Sequence, residues 1–199
     1  DPERYGIVGN QVTGVTMDVE PVTFLSQFTG FFPDVQQIGV IRGEGTSDER
    51  LAAMSAAATE LGRELVVVEV DSPRGVRRAF TDLAQQGVDA LWLPPDRHIL
   101  TTSGYRTLSE EARRRHLPVL VDTRSMVEAG GLFTMVPDPV GVGEQAVALV
   151  QQVLDGAAPA TLPPEDPQRL LVVLNLRTLR ESELEVDRLL LDFVDVTIE

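Results

Sequence analysis

Six continuous apolar runs punctuate the chain: IGVIR (38–42), LVVVEV (65–70), ALWL (90–93), PVLV (118–121), LFTMV (132–136) and RLLVVLNL (169–176). A strand with one wet face alternates polar and apolar positions, whereas a parallel strand covered on both faces does not, so these runs predict buried parallel strands. Between them apolar residues return at helical spacing. Leu51, Met54, Ala58 and Leu61 share one helical face, Val76, Phe80 and Leu83 a second, and Val147, Val150 and Leu154 a third. Strand and helix in repeated alternation predict an α/β fold, a doubly wound and mostly parallel sheet with helices on both faces. Ligands of such sheets sit beyond the carboxyl ends of the strands, which singles out the loops after 38–42, 90–93 and 118–121.

Local punctuation fixes several boundaries. Thr46 followed by Glu49 predicts a capping box at the start of a helix over 48–61, with Gly62 placed to end it. A second helix begins near Ile99 and closes on Arg113, Arg114, Arg115 and His116, where positive charge complements the carbonyl end of the helix dipole; that run reads as a solvated helix end. The segment GAAPATLPPEDP (156–167) reads as a linker too irregular for an element. This linker separates a terminal strand and a short tail from the α/β pattern before it.

Composition narrows the chemistry. The formal charge is -14, and all 17 basic residues are arginine. So negative a mean field opposes nucleic acid and anionic membrane as partners. Cysteine is absent, which removes disulfides, thiol nucleophiles and thiolate metal sites. The two histidines, His98 and His116, lack metal-ligand spacing, so no metal is expected. No G-x-S-x-G elbow occurs, and no lysine exists to serve a phosphate loop. The turn Gly43-Glu44-Gly45 follows a strand, but Glu44, Asp48 and Glu49 would repel a pyrophosphate. No cofactor and no catalysis are expected.

Polar residues at three predicted strand ends remain. Glu44, Thr46 and Ser47 follow the first, Asp96 and Arg97 the second, and Asp122, Thr123 and Ser125 the third. Hydroxyls and helix-terminal amides can hold a carboxylate, Asp96 or Asp122 can take an ammonium, and Arg97 offers a two-pronged grip. Each of these residues could equally do no more than cap its own helix. Their convergence from three loops favours a ligand cleft.

The order of QVTGVTMDVEPVTFL, FPDVQQIGVIRGEGTSDERLAAM, GVDALWLPPDRHIL, LPVLVDTRSMVEAGGLF, the helix ending in LDG, and LLVVLNL with Asn175 resembles the solute-binding proteins of ABC transporters of the tryptophan and tyrosine type. The resemblance covers nearly the whole chain and lies in the ensemble, not in any one motif. It implies a type I periplasmic-binding fold, two hinged lobes closing on a small amino-acid-like solute, a membrane permease as partner, and an extracytoplasmic location. It also implies that DPERYGIVGNQVTGV ends a first lobe, most of which lies outside this sequence, so that the chain divides into 1–17, an α/β lobe over 18–155, and a linker, terminal strand and tail over 156–199 returning to the lobe. The stripe of the 140–154 helix would then need another cover, for which a homodimer is the expectation. The relatives' Asn-Pro-Ser-Glu-Ala-Asn-Ser loop falls on Arg42 to Ser47, and their Pro-Thr-Asp-Asn loop on Pro94 to Arg97, where Arg97 replaces an amide and suits a more anionic solute. The competing expectation is an interaction or sensor module that kept the scaffold and lost the ligand.

Overall fold

All six apolar runs form strands in the computed structural model, which describes residues 12–96 and 99–199. The chain runs α1 (Pro21–Phe31), β1 (Gln37–Arg42), α2 (Asp48–Glu60), β2 (Glu64–Glu69), α3 (Pro73–Gln86), β3 (Ala90–Leu93), α4 (Thr102–Arg114) and β4 (Val119–Val121). It continues through α5 (Arg124–Glu128), β5 (Phe133–Pro137), α6 (Pro139–Leu154), β6 (Leu170–Asn175), α7 (Leu176–Glu181) and β7 (Val196–Ile198). The strands join one seven-stranded sheet in the order β2-β1-β3-β4-β5-β6-β7. Every described pairing between them is parallel, with β1 and β2 in register from Gln37↔Glu64 to Arg42↔Glu69. The expected α/β sheet is therefore present.

Burial explains most of the continuous runs, but not that of β2, an edge strand in which no residue is buried, contrary to the expectation. In β3 and β4 every residue is buried, and in β1 Ile38, Val40 and Ile41 are fully enclosed. Phe24, Phe28 and Phe31 of α1 surround Phe133 of β5 at ring-centroid separations of 5.9, 5.6 and 5.8 Å. Phe80 and Leu83 of α3 are buried as their spacing predicts, and a side chain added at Gly39 of β1 would meet Leu83 at 3.2 Å. Large aromatic side chains enclosed in this way supply most of the apolar burial per residue.

Contacts group the described residues into two units. One comprises 20–135 and 172–199; the other comprises 136–171 with the described residues 12–19. This division and the one drawn from sequence differ over 136–155. In the smaller unit, α6 exposes Val140, Val147, Val150 and Leu154, at 64%, 69%, 57% and 74%. The third stripe therefore lies uncovered, as expected of a face that needs another cover, while the helix buries Gly141 and Leu149.

Three other local expectations are corrected. Ser47, not Thr46, caps α2, accepting from the Arg50 amide at 3.2 Å. The second helix starts at Thr102 with Thr101 as its cap; the basic run at its end is solvated as read, with Arg114, Arg115 and His116 exposed, and also makes contacts: Arg113 pairs with Glu181, the Arg115 guanidinium lies 5.5 Å from the Phe80 ring centroid, and His116 Nδ1 lies 2.8 Å from the Ser182 carbonyl. The 156–167 segment is ordered by a 3-10 turn at Pro159–Thr161 and by a bridge between Val15 and Glu165.

Candidate functional site

The order of strands places a switch point at β1. Its neighbours β2 and β3 lie on opposite sides, so the connections leaving β1 and β3 diverge and open a crevice at the carboxyl end of the sheet. Asp96, which follows β3, reaches across that crevice. Its Oδ2 accepts from the Gly43 amide at 3.0 Å and from the Thr46 hydroxyl at 3.2 Å, and Asp96 and Thr46 are 2% and 4% exposed. Gly43 is required for this approach, because a Cβ there would lie 2.5 Å from Ile99 Cγ2 and 3.1 Å from Asp96 Oδ2. Asp96 thus joins the loops after β1 and β3, and its carboxylate is engaged by its own fold.

A second junction links β3, β4 and α2. Asp122, at the end of β4, has a side chain only 8% exposed. Its Oδ1 accepts from Trp92 Nε1 at 3.0 Å, and its Oδ2 lies 3.0 Å from Arg50 Nη2. The Arg50 guanidinium carbon lies 5.8 Å from the Trp92 ring centroid. Burial pushes the Asp122 carboxyl above its ordinary range, opposed by the charge of Arg50 and by the hydrogen bond from Trp92. Arg50 occupies the first turn of α2, where a cation opposes the helix dipole. The buried carboxylate offsets that repulsion.

Between the β3 and β4 ends lies a cavity of about 430 Å³, lined in part by Asp96, Tyr105, Thr123, Ser125 and Met126. Tyr105, on α4, is buried and donates to the Met126 carbonyl at 2.7 Å, bracing the first turn of α5. Thr123 caps that helix by accepting from the Met126 amide at 3.3 Å, and its hydroxyl lies 3.1 Å from that of Ser125.

The candidate residues therefore fall into different places. Asp96, Thr123 and Ser125 share the cavity wall, and Thr46 is bonded to Asp96 from behind. Asp122 faces Arg50 and Trp92. Ser47 is committed to its cap, although exposed, and Glu44 is exposed on the turn. Arg97 lies outside the described residues. Arg50, Trp92 and Tyr105 escaped the sequence reasoning. The signals for the first two were a cation in the first turn of a helix and a lone tryptophan within a fully buried strand.

The profile of a family described as ABC transporter substrate binding protein matches residues 4–195. A curated tyrosine-binding protein of Clostridioides difficile (strain R20291) is 23% identical over 193 residues, covering 93% of this chain and 55% of that protein. The chain thus spans little more than half the length of this relative. Among solved structures, a ligand-free, open substrate-binding protein with adhesive properties from Clostridium difficile superposes with a TM-score of 0.84 at 19% identity, covering all of this chain and 69% of the other. An ABC domain in complex with L-Trp from Streptococcus pneumonia gives 0.72 at 25% identity, covering all of this chain and 70% of the other.

Proposed function

Since the chain belongs to the family of ABC transporter substrate-binding proteins, we propose that it is the extracytoplasmic solute-binding component of an uptake system. In this reading it delivers a small amino-acid-like or carboxylate solute to a membrane permease and performs no chemistry on it. The observation that carries the reading is the cavity of about 430 Å³ at the carboxyl ends of adjacent parallel strands, with Asp96, Thr123 and Ser125 on its wall. That is where doubly wound sheets bind small ligands, and a wall that mixes hydroxyls and a carboxylate with apolar side chains suits a compact polar solute. The relatives' ligands, tyrosine and L-Trp, support the amino-acid class.

A thermal-shift panel of amino acids and small carboxylates on the full-length protein tests the proposal. A binder stabilises the folded state by mass action, and Ser125→Ala and Thr123→Ser weaken the response. A flat response across the panel defeats the transport reading and favours an interaction or sensor module.

A further inference from the structure

We propose that Arg50 is the residue that recognises the anionic end of the solute, and that Asp122 is its anchor and not a receptor for an ammonium group. The assignment rests on the solute-binding reading and adds to it a contact outside the lining of the 430 Å³ cavity, with a planar carboxylate as the group recognised.

Asp122 is already ion-paired, although its Oδ2 accepts no hydrogen bond. One carboxylate oxygen takes the Trp92 N–H at 3.0 Å and the other faces Arg50 Nη2 at 3.0 Å, within a side chain that is 8% exposed. An arriving ammonium would have to expel Arg50 and leave that guanidinium over the Trp92 ring without its counter-ion, which costs more than the new pair returns. The Arg50 side chain, by contrast, is 41% exposed. A guanidinium carries five N–H donors in a rigid fork, and the pair to Asp122 is made through Nη2, so the fork keeps donors for a second planar acceptor. The anchor and the ring at 5.8 Å fix its orientation before any solute arrives. Negative charge on the same turn is partly directed elsewhere, since Asp48 pairs with Arg42 at 2.6 Å. The first turn of α2 adds its own partial positive charge in the same place.

The test is isothermal titration of the full-length protein with four probes: L-tyrosine and L-tyrosinamide, succinate and succinamide. Each pair keeps its shape and loses anionic charge. At least one acid binds, and its amide binds at least tenfold more weakly. Arg50→Lys, which keeps the charge but loses the fork, weakens the acid by about tenfold. The double variant Arg50→Ala with Asp122→Asn leaves no buried unpaired charge; it folds, and it reduces the acid to the level of the amide. Equal binding of acid and amide, or an Arg50→Ala variant that binds tyrosinamide more tightly, overturns the assignment while the solute-binding reading stands. Silence from all four probes and the panel overturns both.

Discussion

Thr46 and Ser47 are neighbours with the same chemistry and different tasks. A hydroxyl three residues ahead of a helix amide can cap at either position, so local sequence favours Thr46 through Glu49, and the choice is decided by Asp96, 50 residues away, which takes the Thr46 hydroxyl and leaves Ser47 to accept from Arg50. Ser47→Ala therefore lowers stability by about 1 kcal/mol in urea titration, as loss of an N-cap does. Gly43→Ala drives a methyl into Ile99 and costs about 1–3 kcal/mol by the same measurement, because the enclosed side chain cannot retreat without strain. At Asp122 the sign follows from a raised folded value. Between the ordinary value of 3.8 and the raised one, the folded state holds a proton that the unfolded state has released, so this group's contribution to stability falls as pH rises through that window. Asp122→Asn removes that part of the slope, and the difference between the two stability-pH curves reads it directly.

Most elements were legible through the surface they bury, although the edge strand β2 shows an unbroken apolar run with no buried residue. β1, β3 and β4 announce themselves as unbroken apolar runs because helices cover both faces, and α3 shows its stripe because one face meets the sheet. The short elements α5, α7 and β7 span 5, 6 and 3 residues, too few for a period to show, and are held by contacts distant in sequence. Asn175, for instance, accepts from the Thr178 amide to cap α7 and donates to the Val127 carbonyl at the end of α5. The stripe on α6 was legible as a pattern, but the face it presents was not, since periodicity reports a stripe and not what lies against it. Tyr105 gives the brace between α4 and α5 a measurable signature. Burial pushes its hydroxyl up to about 12 from 10.0, so between those values the unfolded chain loses the proton first and stability declines as pH rises. Tyr105→Phe abolishes that alkaline decline and costs about 1 kcal/mol near neutrality, measured by denaturant midpoints at pH 8 and 11.

At the scale of the whole molecule, the strand order was the decisive fact that sequence withheld. Alternating strands and helices establish a doubly wound sheet, but many orders satisfy that pattern, and only β2-β1-β3-β4 makes neighbours of the three loops chosen as candidates. That order brings Asp96 under Thr46 and Asp122 under Arg50. A solute at 100 times its Kd stabilises the folded state by about 2.7 kcal/mol, or roughly 5 to 10 °C in melting temperature for a chain of this size. The Asp96 bridge carries a further consequence. A loop that must be gathered in on binding surrenders backbone freedom at that moment, but the loop after β1 is already moored to the end of β3 through the Gly43 amide and the Thr46 hydroxyl. On the proposed solute-binding reading, this wall is set before a solute arrives. The Gly43 amide will exchange slowly with deuterium in the empty protein, and its protection will change little on loading.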